Sequence, residues 1–284
     1  MGKRLRESLK KFEFIDIDLI ENNITSKLTK KLKITFLGTG TSQGVPVILC
    51  KCKVCQSFDL RDKRLRASVM IEVDNQTFII DTGPDFRQQM LQSKATNVDA
   101  ILFTHEHKDH IAGLDDIRAF NYVQQRPMDI YAEKRVQEAL KREYAYVFAE
   151  FKYPGIPEMN MHLIENKPFN INSTVITPIR VMHYMLPIFG YRIHDFTYIT
   201  DAKSIDDIEM EKIRGSKIVV INALHQYEHI SHLDLKSALE ILDKLRPETA
   251  YITHISHTMG LHSEVEKQLP DYVKFAYDGL VIEL

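Results

Sequence analysis

The stretch Val98-Asp99-Ala100-Ile101-Leu102-Phe103-Thr104-His105-Glu106-His107-Lys108-Asp109-His110 decides the fold. Its first half is apolar, β-branched and aromatic, and reads as a buried strand. Its second half sets three histidines and an aspartate within seven residues of the strand's end. In extended backbone alternate side chains share a face, so His105 and His107 reach one ion together. Asp109 and His110 turn the other way, toward a second ion. Imidazole suits zinc, iron, manganese or nickel, and carboxylate adds a hard oxygen with negative charge. The plain alternative is a solvated, charged turn.

Composition narrows the class. In 284 residues, 44% are hydrophobic and 27% charged, as in ordinary soluble globular proteins. A net charge of −2 gives no bulk attraction for nucleic acid or membrane. No apolar run has the length of a bilayer span. The basic start, Met1 to Arg6, is not followed by an apolar signal core, and Arg6 stands where myristoylation needs Ser or Thr. The expected compartment is the cytoplasm, with no membrane partner. Cys50, Cys52 and Cys55 are the only cysteines. An odd, crowded set is poor material for disulfides and good material for metal, and a closed zinc site needs a fourth ligand.

Strand-like runs flank the loop on both sides. Leu32–Leu37 alternates and leads into a glycine loop, Gly38 to Gly44, which lacks both a P-loop ending and dinucleotide spacing and reads as a tight turn. Arg66–Val73 and Thr77–Ile80 read as a hairpin ending at Asp81. Residues 133–148 read as a helix, and Phe151–Asn160 as a loop bordering the cleft. Thr174–Met182 ends at His183, Phe196–Thr200 at Asp201, and Tyr251–Thr253 at His254, so ligand-type side chains recur just beyond β-runs. Alternating strands and helices, repeated twice without a Ser/Pro-rich linker, predict two mixed β-sheets packed face to face with helices outside, an α/β four-layer αββα sandwich. The ligands collect at one rim. The expected division is an extension of unassigned role over residues 1–30 and a single domain over 31–284. Leu5, Leu9 and Phe12 have helical spacing. The extension packs on the domain, pairs a second subunit into a homodimer, or is partly disordered.

From about Lys33 onward these motifs resemble the metallo-β-lactamase superfamily of dinuclear hydrolases. The glycine loop and cysteine knuckle, Gly38 through Cys55, resemble its cyclic-phosphodiesterase branch, that of the phosphoribosyl cyclic-phosphate diesterase. The resemblance implies His105, His107 and His183 on one ion, Asp109, His110 and His254 on the other, and Asp201 between them. It gives Asp81 a supporting position beside a ligating imidazole and pairs His257 with the three cysteines around a structural zinc. It places His232 as a catalytic acid toward the leaving oxygen, with Asp109 able to take or relay the proton of the attacking water. His162 and His194 match no ligand and read as structural. The implied cofactors are two divalent transition-metal ions, zinc or manganese with iron a third option, and one structural zinc. Two such cations hold a bridging hydroxide and clamp phosphoryl oxygens, so the implied activity is that of a metal-dependent phosphoric diester hydrolase on small, cyclic diesters. The alternatives are a tRNA 3′-processing endonuclease, for which no Gly-rich basic arm is found, and a lactone or thioester hydrolase. The pyrroloquinoline quinone synthesis protein shares a cysteine knuckle but has an altered ligand loop. A metal-stabilised interaction protein is the non-enzymatic reading. Nucleic acid beyond nucleotide size is not an expected partner.

Overall fold

A computed structural model of the chain describes residues 32–284, so the helix expected around Leu5, Leu9 and Phe12 lies outside the described residues. The first sheet holds β1 (Lys33–Gly38), β2 (Ser68–Val73), β3 (Gln76–Ile80), β4 (Ala100–Leu102), β5 (Met128–Ala132) and β6 (Met159–Leu163). The second holds β7 (Phe169–Ile171), β8 (Thr174–His183), β9 (Leu186–Ile193), β10 (Phe196–Tyr198), β11 (Ile218–Asn222), β12 (Thr249–Thr253) and β13 (Val273–Phe275). The last strand, β14 (Val281–Glu283), returns to the first sheet and pairs with β1. Each sheet has seven strands and changes from antiparallel to parallel pairing halfway, at β3 in the first and at β10 in the second.

The alternation of side chains explains the layering. Phe78 and Ile80 point from β3 between the sheets, where they meet Tyr191, Phe196 and Tyr198. Ile79, one residue out of phase, points outward to Phe86, Met90, Val136 and Leu140. Those residues lie on α1 (Phe86–Ser93) and α4 (Lys134–Glu143). On the far side, Val219, Ile221 and Ile252 pack on Met210, Ile213, Ala238 and Leu242 of α5 (Asp207–Ile213) and α6 (Leu235–Leu245). Three apolar layers thus separate four layers of secondary structure, which is the expected αββα sandwich. Deleting a ring such as that of Phe78, fully buried, would cost about 3–5 kcal/mol.

Two local differences have physical causes. The helix expected to continue to Phe148 stops at Glu143, because Tyr144 turns inward and its hydroxyl donates to Ile111 O at 2.7 Å. The segment after the histidine loop is broken into α2 (Lys108–Ile111), a 3-10 turn (Leu114–Ile117) and α3 (Arg118–Gln124), with Gly113 at the break. The loop near Gly155 packs beside α3 and, with Arg118 and Tyr122, lines a cavity of about 610 Å³.

Candidate metal centre

The candidate site lies where strands of both sheets end at one rim. Three of its residues, Asp81, Asp201 and His254, have φ of +64°, +60° and +55°. Each follows a strand closely, and the left-handed turn at each redirects the chain there. Non-glycine residues rarely hold this conformation, and it concentrates at functional sites. Glycines then allow close approach of the supporting turns. A Cβ on Gly83 would lie 2.1 Å from Asp109 O, and one on Gly113 2.1 Å from Gly83 O. The Asp81–Gly83 turn therefore packs directly on the backbone of the histidine loop, with Thr82 N donating to His110 O at 2.7 Å.

Four imidazoles are fixed the same way, by a partner at Nδ1. His105 Nδ1 donates to Thr104 Oγ1 at 2.9 Å, whose hydroxyl donates to Asp81 Oδ2 at 2.7 Å. His110 Nδ1 donates to the same Asp81 oxygen at 2.7 Å. His183 Nδ1 donates to Ser231 O at 2.9 Å. His254 Nδ1 lies 3.3 Å from Thr200 Oγ1, whose hydroxyl donates to Asp201 Oδ2 at 2.6 Å. Each outer partner leaves the Nε2 lone pair free, which is how metal-ligating histidines are oriented. The Nε2 atoms of His105, His110 and His254 are buried with no hydrogen-bond partner among the described residues. Buried polar atoms are nearly always paired, and the arrangement of these three beside the carboxylates Asp109 and Asp201 fits a cation.

Ligand atoms of His105, His107 and His183 lie within 4.8 Å of one another, as do those of Asp109, Asp201 and His254, and those of His105, His110 and Asp201. The structure thus brings all seven side chains together. It also draws in His232: with His183 and Asp201 it meets the same distance. The His232 ring stacks on His254 at 4.9 Å, and its Nδ1 lies 3.7 Å from Asp201 Oδ1.

Electrostatics prepare the cluster for a cation. Burial, then neighbouring histidines, push His105 and His107 below the ordinary imidazole range, and burial does the same to His254. Neutral imidazole is the ligating form. Burial, then His254, pushes His232 down to about 3. Burial disfavours ionised Asp201, but His254 and His110 outweigh it and hold this carboxyl well below its usual range. His110 goes the other way. Burial opposes its charge, yet Asp109, Asp201 and Asp81 together hold it well above the ordinary value. Its Nε2 lies 3.2 Å from Asp109 Oδ2 and 3.3 Å from Asp201 Oδ2. A proton there occupies the place a cation would take.

A second cluster lies apart from this one. Cys50 Sγ and Cys52 Sγ lie 3.3 and 3.4 Å from His257 Nδ1, and with Cys55 all four ligand atoms fall within 4.8 Å. Three thiols and one imidazole make a closed tetrahedral donor set suited to zinc. Burial disfavours the Cys52 thiolate, but the Cys55 N–H and His257 outweigh it and lower it to about 6. Burial and the neighbouring thiols raise Cys55 to about 11.

His162 pairs with Asp129 at 2.8 Å, and His194 Nε2 lies 3.1 Å from Asp74, both away from the cluster. Gly38 and Gly40 lie against the backbone of Arg66 and Arg64, so packing accounts for the small residues of that loop. The sequence reading missed the outer partners Thr104, Thr200 and Ser231. It also missed Asn222, whose buried amide holds both backbone groups of Ala202, N–H at 2.7 Å and C=O at 2.9 Å. The available signal was a polar residue closing the apolar run Ile218–Ile221.

A model of the β-lactamase superfamily domain matches residues 76–255. The crystal structure of a diphosphatase from the PhnP family is 38% identical, with a TM-score of 0.84, covering 89% of this chain and 97% of that one. Zinc-bound PqqB from Methylobacterium extorquens is 16% identical at a TM-score of 0.72, covering 89% of this chain and 100% of that one, which is likeness of fold. An octanoyltransferase of Porphyromonas gingivalis is 37% identical over 252 residues, 88% of this chain and 51% of that protein. The chain spans about half the length of the first curated relatives it matches. Among the described residues, no helix is long and apolar enough to cross a membrane.

Proposed function

The chain belongs to the β-lactamase superfamily and, within it, to the PhnP family, and on that footing we propose that it is a metal-dependent phosphodiesterase acting on small, chiefly cyclic, phosphodiesters. The observation that carries this is the convergence of unpaired Nε2 atoms of His105, His110 and His254 on the carboxylates Asp109 and Asp201. His105, His107 and His183 would hold one divalent ion and Asp109, His110 and His254 the other, with Asp201 between. When bound, such a pair supplies a nucleophile at neutral pH and a clamp for phosphoryl oxygens. Zinc, manganese or iron suits the mixed nitrogen and oxygen donors, and zinc the thiolates. Asp109 would take or relay the proton of the attacking water. His232, neutral and buried against Asp201, offers an N–H to the leaving oxygen, help usually worth about 10²–10⁴ in rate. The cysteine cluster is structural, so the chemistry needs no serine or cysteine nucleophile. A single hydrolase domain over residues 31–284 completes the proposal.

A thioester substrate is the second reading, favoured by the 37% identity to a protein named octanoyltransferase. The test is metal content by mass spectrometry, with rates on bis(p-nitrophenyl) phosphate, a 2′,3′-cyclic nucleotide, an octanoyl thioester, a lactone and precursor tRNA. The diesters should dominate, and metal should exceed the one ion of the thiolate site. Faster thioester turnover, or position-specific tRNA cleavage at low enzyme concentration, would overturn the proposal.

A further inference from the structure

Glu106 sits between His105 and His107 on the histidine loop. Its Oε1 lies 3.4 Å from Arg135 NH1 on α4, and its side chain is 21% exposed. Its Oε2 is buried without a hydrogen-bond partner among the described residues. Arg135 reaches across to the other sheet and donates to Pro187 O on β9 at 2.7 Å. It also lies 3.8 Å from Glu133 Oε2. Glu133 receives both arms of Arg180, at 3.0 and 2.7 Å, and the Arg180 guanidinium rests 3.9 Å over the Phe189 ring. Alternating charges thus run from the histidine loop to the hairpin β8–β9.

The direction of this chain matters because of what each end carries. His105 and His107 belong to the first sheet's rim, and His183 ends β8 in the second sheet. A three-histidine site built across two sheets requires their separation to be fixed within fractions of an ångström. Main-chain contact at this point is one bond, Phe189 N to Thr104 O at 3.1 Å. Isolated ion pairs with this exposure add little stability. A rigid guanidinium fork, however, fixes distance and direction.

We propose that Arg135 is a positioning residue: by holding Glu106 and Pro187 together it sets the gap between His105/His107 and His183, and so the affinity for the ion those three would hold. The set Asp109, His110 and His254 lies outside its reach and is left unchanged. This rests on the two-ion reading of the site.

The test is a titration of metal-free protein with Co²⁺, followed by visible absorption, the thiolate site being recognised by its sulfur-to-metal charge-transfer band. Wild type should show two further binding steps. Arg135→Met should weaken one of them about 10–100-fold, the usual effect of losing an outer support, and leave the other within about twofold. Glu106→Gln should weaken the same step, and the double variant should fall short of the product of the two. Arg135→Lys should restore the step only in part, since an ammonium cannot span both acceptors in fixed geometry. The melting temperature of the metal-free variants should stay within about 4 °C of wild type. Equal weakening of both steps, no change in either, or a fall in metal-free stability matching the affinity loss would overturn the role of Arg135. Fewer than two non-thiolate steps in wild type would instead remove the two-ion reading itself.

Discussion

Replacing Asp81 with Asn isolates the control of imidazole tautomers at the site. Asp81 is fully buried at φ +64°, a conformation Asn adopts readily, so the main chain is not strained by the change. Its Oδ1 accepts from Thr104 N at 2.8 Å, and its Oδ2 accepts from Thr104 Oγ1 and His110 Nδ1, each at 2.7 Å. In Asn the oxygen must stay on the Thr104 N–H, since the opposite orientation sets donor against donor. The amide Nδ2 then faces the other two partners. The Thr104 hydroxyl can rotate and accept. The His110 ring cannot. To accept at Nδ1 it must carry its proton on Nε2, the atom that faces Asp109 and Asp201. The lone pair is thereby withdrawn from the cleft. Loss of such an outer partner weakens metal binding about 10–100-fold, or about 1.4–2.7 kcal/mol at about 1.36 kcal/mol per tenfold. The assay is a chelator-competition titration with Zn²⁺ or Mn²⁺, beside a melt of the metal-free protein and diesterase rates. Folded Asp81→Asn protein with wild-type affinity and wild-type rate would refute the tautomer argument.

Cys52→Ser should lower stability more than turnover of the folded fraction, because the knuckle ties Cys50 to His257 across 207 residues. A cross-link closing such a loop is worth about 5 kcal/mol on chain-entropy grounds, or about 10–20 °C in Tm, and full stability with lost turnover would reassign the cysteines to the active site. His232→Ala should lower kcat by about 10²–10⁴ with little change in KM, and less for p-nitrophenolate leaving groups, while metal content holds; metal loss would make His232 a ligand. Gly113→Ala should cost about 1–3 kcal/mol or more and reduce metal content, since its Cβ would meet Gly83 O at 2.1 Å. Burial, then the Arg64 guanidinium donating to Nδ1 at 3.1 Å, hold His262 below its usual 6.5. The unfolded chain therefore binds the proton first, so this contribution to stability is complete above pH 6.5 and lost as pH falls below it. Denaturant midpoints from pH 7.5 to 5.5 should fall less in His262→Gln than in wild type, the remaining loss coming from His105, His107, His232 and His254.

Much of the site is legible in order along the chain. The loop His105 to His110 declares itself because six residues hold three histidines and an aspartate beside an apolar strand. Asp81, His183, Asp201 and His254 can be located because each ends a β-run, and strand ends in a layered sheet face one rim. His257 could be paired with the cysteines only through the family resemblance, since no local signal joins positions 207 residues apart. The left-handed φ at Asp81, Asp201 and His254 left no trace, as no glycine marks these turns.

Local pattern by itself determined the periodicity, and with it the strands, the helical outer layers and the ligand types at strand ends. Alternation and strand length are properties of neighbouring residues, so they survive in one dimension. Tertiary structure decided which nitrogen of His110, His183 and His254 faces the cleft, because their partners Asp81, Ser231 and Thr200 lie 29, 48 and 54 residues away. It also decided that His232 lies at ligand distance, and that Arg135 bridges Glu106 to Pro187. Hydrogen bonds and ion pairs act over about 3–4 Å, and closing such distances between segments far apart in sequence is what folding two sheets onto one another accomplishes.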